Sequence, residues 1–208
     1  LTARTAATQL IADHPEIARY LKILSPHKRI STIAYGAQAL DSADRSLLAP
    51  LGLTSQPFLT MIGRPEPENH ILEIVQAFSA QPRGVSLVVL GNFSVQNPYH
   101  RAVKQAASTE VLFPGAVYDK HTLAALRVHS LYYIHGHSVG GTNPSLVEAL
   151  AAGNAILAHD NPYNRWVAQE AAQYFANGMQ LREFFDAMPQ AEDSRKAMQI
   201  AARQRHTQ

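Results

Sequence analysis

Five short apolar runs rich in β-formers punctuate the chain, beginning near Phe58 (FLTMIG), Val85 (VSLVVLG), Val111 (VLFPG), Leu131 (LYYIHG) and Ala155 (AILAHD), about 20–27 residues apart. Each stops at a Gly, a Pro-Gly or an Asp. The stretches between them carry apolar residues at helical spacing: Ile71, Ile74, Val75 and Phe78; then Tyr99, Val103 and Ala106; then Leu123, Ala124 and Leu126; then Leu146 to Ala152. Strand and helix therefore alternate. The strands are apolar throughout rather than at every second position, which is the pattern of a parallel sheet covered on both faces. The fold class this predicts is α/β, a doubly wound, Rossmann-like parallel sheet. The units share no sequence signature, so a solenoid of repeats is set aside.

The flanks read differently. Gln9–Asp13 (QLIAD) predicts one more strand, and His14-Pro15-Glu16 opens a helix to Leu24 with Pro in its first turn. Ile30–Tyr35 predicts a further strand running to Gly36, and Asp41–Ser55 reads as a polar connection. The tail from Met179 to Gln208 divides into two helical segments at Pro189, and it is expected to pack over a neighbouring domain. The domain expectation is thus 1–29, the end of a preceding domain; 30–55, a linker; 56–178, the main ligand-binding domain; and 179–208, terminal helices.

Composition narrows the chemistry. The 208 residues are 46% hydrophobic and 16% charged, which suits a buried core and excludes disorder as the main state. The absence of Cys excludes disulfides and thiolate metal sites. No run of 18 apolar residues occurs, and Leu1–Ala12 lacks a leader pattern, so cytoplasm is the expected location. Eighteen Lys+Arg against sixteen Asp+Glu gives a net charge of +2, scattered singly, which argues against nucleic acid as a partner. It is compatible with a phosphate-bearing ligand or peripheral contact with an anionic membrane face. No G-x-G-x-x-G follows a strand, and neither a P-loop nor a G-x-S-x-G elbow is present, which removes dehydrogenase, P-loop NTPase and α/β-hydrolase readings.

Ligands of doubly wound sheets sit at the carboxyl ends of the strands. The most informative end is His135–Gly153, HGHSVGGTNPSLVEALAAG. Asn143 suits an N-cap and Pro144 the first helical turn. Gly140-Gly141-Thr142 ahead of them lets a ligand approach the backbone, and the helix N-terminus favours an anion such as a diphosphate. An ordinary capped helix after a glycine turn explains the same spacing equally well. Glu148 is a lone carboxylate among apolar neighbours, costly unless paired, and its side chain leans toward the helix N-terminus, where it could accept from two sugar hydroxyls. Gly63-Arg64 ends an earlier strand and places a guanidinium where it can hold phosphate oxygens, unless a rim ion pair with Glu66 or Glu68 takes it. Of His135 and His137, one is expected in the core with a hydrogen bond and the other in the phosphate pocket, in preference to zinc. Val117 and Tyr118 offer a base edge and a stacking ring.

Gly-Arg at one strand end, with a glycine-rich loop, capped helix and Glu at another, resembles the C-terminal, donor-binding half of GT-B glycosyltransferases of family 4, over about Ile30 to Phe175. Gln9–Leu24 looks like the end of the N-terminal acceptor domain. Arg64-Pro65-Glu66-Pro67-Glu68-Asn69-His70-Ile71 and His135-Gly136-His137-Ser138-Val139-Gly140-Gly141-Thr142-Asn143-Pro144-Ser145-Leu146 look like the bacterial rhamnosyltransferase branch that builds surface polysaccharides. Two positions depart from the broad family: Gly140 stands where the first Glu of its E-x7-E pair is usual, and Asn69 where a Lys is usual. The resemblance implies a retaining, metal-independent hexosyl transfer without a cofactor, from a nucleotide sugar such as dTDP-rhamnose to a saccharide or lipid-linked acceptor held by an N-terminal domain. It also implies donor contacts at Gly63, Arg64, Asn69, Val117, Tyr118, His137, Gly140, Gly141, Thr142, Asn143 and Glu148, with Arg64 the catalytic charge. A nucleotide-sugar-binding module without turnover and a sugar-nucleotide 2-epimerase are the competing classes.

Overall fold

The computed structural model describes residues 6–207; residues 1–5, which begin the segment read as lacking a leader, and Gln208 lie outside the described residues. A six-stranded parallel sheet is built from β3 (Phe58–Ile62), β4 (Ser86–Leu90), β5 (Val111–Gly115), β6 (Tyr133–His135), β7 (Ile156–His159) and β8 (Ala172–Phe175), in the order β5-β4-β3-β6-β7-β8. β1 (Gln9–Ala12) and β2 (Arg29–Thr32) form a separate parallel pair joined by α1 (Pro15–Leu24).

Side-chain alternation along the strands sorts the core onto two faces. Leu59, Met61, Leu87, Val89, Ile134 and Leu157 face α2 (Ile71–Phe78), α3 (Pro98–Ala106) and α7 (Gly178–Ala187). Tyr133, Ile156 and Ala158 face α5 (Pro144–Ala151) and α6 (Pro162–Ala168) on the other side. Phe58, Val88 and Leu90 pack there against α4 (Lys120–Val128). The sheet is doubly wound. β5 tolerates Pro114 because it is an edge strand, with no second neighbour to receive the missing N–H.

Four expectations are corrected. The connection 41–55 is not merely polar: Arg45–Leu51 forms a 3-10 helix that buries Leu48, and Leu53 follows it into the core beside Phe58, Ala125 and Leu126. β8 had no predicted counterpart, because its Ala172 and Tyr174 are only half-buried at the sheet edge and give a weak apolar run. The tail returns to this same domain: α8 (Glu192–His206) packs on α5 through Ala202, with Arg205 bonding the Val167 and Trp166 carbonyls and His206 the Ala37 carbonyl. The second strand is also shorter than Ile30–Tyr35, ending at Thr32. Among the described residues no helix is long and apolar enough to cross a membrane.

Candidate functional site

The order of the strands locates the site. From β3 the chain winds toward β4 and β5, and from β6 toward β7 and β8, so the loops leaving β3 and β6 diverge and open a crevice between them. Gly63-Arg64 and His135-Gly136-His137 stand at its two lips. Two cavities meet there. One, of 230 Å³, lies over the ends of β3, β4 and β5 and is lined by Gly63, Arg64, Gly91, Asn92, Val117 and Tyr118 among others. The other, of 170 Å³, lies over β3 and β6 and is lined by Gly63, Arg64, Asn69, His135, His137, Asn143 and Ser145 among others.

Arg64 belongs to both walls. It is exposed, and neither Glu66 nor Glu68 pairs with it; among the described residues it has no ion-pair partner. Its backbone is fixed instead, because Asn69 Nδ2 donates to the Arg64 carbonyl at 2.7 Å. The Asn69 Oδ1 in turn bonds His137 Nδ1 at 2.8 Å. Asn69 thus ties the two lips together, which leaves its amide with an internal structural task. Burial holds the His137 imidazole below its ordinary range, partly offset by the Glu68 charge.

The two lips touch so closely that glycine is required. A Cβ on Gly136 would lie 2.0 Å from the Asn69 carbonyl oxygen and 2.8 Å from Ile74 Cδ1. Next along the chain, the glycine-rich loop holds a carboxylate already. The Thr142 N–H donates to Asp13 Oδ2 at 3.0 Å, the Thr142 hydroxyl donates to the Asp13 carbonyl, and a Cβ on Gly141 would meet Asp13 Oδ1 at 2.4 Å. Asp13 follows β1, so the N-terminal strand pair is clasped to this loop. His14 reinforces the clasp: its Nδ1 accepts from the Glu16 N–H, its Nε2 lies 3.3 Å from the Tyr163 carbonyl oxygen, and its ring packs edge-on to Trp166.

The helix that follows is capped as its sequence predicts, with Asn143 Oδ1 accepting from the Ser145 N–H at 3.0 Å. The capping also corrects the expectation of free helix-end amides: Ser145, Leu146 and Val147 N–H groups all bond Asn143. The loop amides of Gly140 and Gly141 remain without a protein partner among the described residues. Glu148 does not stand alone. Its carboxylate, half-exposed, ion-pairs with the buried Arg127, which also bonds the Ser145 carbonyl and hydroxyl and lies over the Tyr133 ring at 5.4 Å. The Tyr133 hydroxyl closes the cluster on Ser145 Oγ at 2.6 Å.

The crevice therefore gathers Gly63, Arg64, Asn69, His137 and Asn143 around the smaller cavity and Val117 and Tyr118 on the larger. Gly140, Gly141 and Glu148 line neither, and Thr142 faces a third cavity. That third cavity, of 460 Å³, runs beneath residues 34–37 toward Trp166, Arg205 and His206. It is away from the strand ends, and its two basic residues already bond backbone carbonyls. Asp13 and Arg127 are site-shaping residues that the sequence analysis does not name. Arg127 had a readable signal, a lone cation in an apolar helical run; Asp13 had none, since its partner lies 129 residues away.

His135 corrects a further expectation. It is buried at 4% exposure, yet it is His137 that is hydrogen-bonded, while the His135 Nε2 has no partner. Burial, reinforced by His137, Arg127 and His159 nearby, pushes its imidazole down to about 3. Between the ordinary value of 6.5 and that value the unfolded chain binds a proton the native state does not, so stability rises with pH across the window. At about 1.4 kcal/mol per pH unit, acidification from pH 6.5 to 5 is expected to cost about 2 kcal/mol through this residue. Urea midpoints at the two pH values check it, and His135→Phe should flatten the difference by that amount; an equally steep loss in the variant would contradict the assignment.

No family model matches this sequence, and no curated protein matches it. Solved structures do match by shape. A sucrose-phosphate synthase from Thermosynechococcus elongatus aligns over 95% of this chain and 53% of its own, with a TM-score of 0.79 at 18% identity. A glycosyltransferase from Rickettsia africae and the Anabaena HepE protein in complex with UDP and glucose each align over 99% of this chain and 60% of theirs, with TM-scores of 0.80 at 15% identity. The chain spans about half to three-fifths of the length of these structures. Its fold is accordingly the Rossmann-like α/β fold that makes up about half of a GT-B architecture.

Proposed function

We propose that the chain is the donor-binding half of a nucleotide-sugar-dependent glycosyltransferase. The observation that carries this reading is Arg64, an unpaired guanidinium between two adjoining cavities at the point where the sheet reverses its winding. A nucleoside fits the larger cavity, with Tyr118 and the ends of β4 and β5 against the base, and the diphosphate lies at Arg64, where the two cavities adjoin. The Anabaena structure, solved with UDP and glucose, lends support by its shared fold. Among the described residues no carboxylate lines either crevice cavity, which disfavours the acid/base chemistry of an epimerase.

The finer reading follows the sequence resemblance: dTDP-rhamnose as donor, hexosyl transfer with retention, no metal or cofactor, and a bacterial surface polysaccharide or lipid-linked saccharide as acceptor. In such a transfer the bond from sugar C1 to the diphosphate oxygen breaks with its electron pair going to the diphosphate. The acceptor hydroxyl forms the new bond on the same face and its proton passes to the departing diphosphate. Arg64 stabilises the growing negative charge. The acceptor would be held by an N-terminal domain, for which Ile11 of β1, Tyr20 and Ile23 of α1, and Ile33 and Tyr35 after β2 are exposed apolar contacts.

Product analysis with an enzyme carrying both halves tests the proposal: rhamnosyl transfer with retained configuration supports it, and tight donor binding without transfer or hydrolysis would make this a binding module. Glu148→Ala provides a narrower check. On the sequence resemblance this carboxylate takes the nucleotide ribose, sharing it with the Arg127 ion pair, so the variant should bind a nucleoside diphosphate about tenfold more weakly, one charge-assisted hydrogen bond being worth roughly 1.5–3 kcal/mol at most. Inorganic pyrophosphate should be held as before. Equal weakening of both, read by calorimetry, would limit Glu148 to holding Arg127.

A further inference from the structure

We infer that the smaller cavity seats the transferred sugar and that His135 hydrogen-bonds a sugar hydroxyl there; this rests on the nucleotide-sugar reading and adds to it the residue that recognises the sugar. Buried polar side chains nearly always have partners, so an imidazole in a cavity wall whose nitrogen bonds nothing marks a partner that arrives from outside. His135 is 4% exposed and lines the 170 Å³ cavity at the end of β6, with its Nε2 unpartnered. Its ring is held between Tyr133, at 6.0 Å between centroids, and His137, at 6.1 Å. A rotation to find a partner within the protein is therefore opposed by packing on both sides.

The chemistry of the wall selects the ligand. Apart from Arg64 at its junction with the larger cavity, the wall's polar side chains are Asn69, His135, His137, Asn143 and Ser145, with Met61, Ile62 and Ile134 beside them. A diphosphate is drawn to Arg64, not to the uncharged interior. Burial keeps the His135 imidazole neutral at any ordinary pH. A neutral imidazole has one N–H donor and one lone pair, which complements a hydroxyl, itself both donor and acceptor. The cavity holds about six waters' worth of liquid volume, enough for one monosaccharide ring and too small for a nucleoside diphosphate.

The test compares a nucleoside diphosphate with its sugar conjugate. The 208-residue chain is titrated with dTDP, dTDP-rhamnose, UDP and UDP-glucose, as wild type, His135→Phe and His135→Gln. The wild type should bind at least one conjugate about tenfold more tightly than its parent diphosphate. His135→Phe should abolish that increment while holding the diphosphate within about twofold, and His135→Gln should restore part of it. In parallel, the ring nitrogen resonances of His135 in the wild-type chain should move on adding the favoured conjugate, stay those of a neutral imidazole, and remain in place with the diphosphate alone. This measurement stands even if the Phe variant fails to fold. If the diphosphates bind but neither sugar adds affinity, or His135→Phe weakens diphosphate and conjugate equally, or the resonances do not respond, the inference is overturned and the nucleotide-binding reading survives. If neither diphosphate nor conjugate binds the wild type, that reading falls and the inference with it.

Discussion

Gly136→Ala is expected to be the most damaging single-methyl change in the crevice, lowering stability by about 3 kcal/mol, the upper end for overpacking. The added Cβ would stand 2.0 Å from the Asn69 carbonyl oxygen and 2.9 Å from its carbon, so the conflict is between two backbones. Side-chain rotation cannot relieve it. The segments at fault are the ones that Asn69 joins through the Arg64 carbonyl and His137, so separating them also displaces the free guanidinium. At roughly 2–4 °C per kcal/mol for a chain of this size, Tm should fall by about 6–12 °C. Gly178→Ala is the control: nothing lies within 4 Å of its added Cβ, and stability should change by less than about 1 kcal/mol. A Gly136→Ala protein melting with the wild type would mean that the loops at the ends of β3 and β6 are not in contact as described.

Arg64→Ala, in an enzyme that carries both halves, is expected to lower turnover by about 10²–10³, more than it weakens donor binding. Negative charge on the diphosphate grows as the sugar–oxygen bond breaks, so a cation there contributes more in the transition state than in the ground state. Among the described residues the guanidinium has no competing carboxylate, and its backbone is held by Asn69. Arg64→Lys should rescue only in part, because a point charge cannot reproduce a bidentate fork. Activity in Arg64→Ala within a few-fold of wild type would remove the leaving-group role, and loss of wild-type activity in chelator would place that role on a metal.

The framework of this fold is legible in the sequence because burial on both faces leaves short, largely apolar runs: β3, β4, β6 and β7 fall within FLTMIG, VSLVVLG, LYYIHG and AILAHD. Where burial is partial the pattern thins, as at β8, or is diluted by polar neighbours, as around Leu48 and Leu53. The cap at Asn143 is also readable, since it follows from local turn chemistry, whereas the sequence leaves open whether Glu66 or Glu68 pairs with Arg64. What could not be read is who pairs with whom. That a carboxylate at 148 needs a partner follows from its apolar setting; that the partner is Arg127, near the end of α4, follows only from the fold, which brings that side chain to Ser145 and Glu148 of α5. The same holds for Asp13, whose hold on Thr142 changes the glycine-rich loop from an open cradle to one partly filled by the protein's own carboxylate.

Calorimetric titration of the chain with UDP, dTDP, GDP and inorganic pyrophosphate, alongside Arg64→Ala, tests the central claim most directly. The expected result is one site per chain, a nucleoside diphosphate held more tightly than pyrophosphate, and a loss of about tenfold or more in Arg64→Ala. A chain that binds none of the nucleotides, or binds one with undiminished affinity after Arg64→Ala, would contradict it.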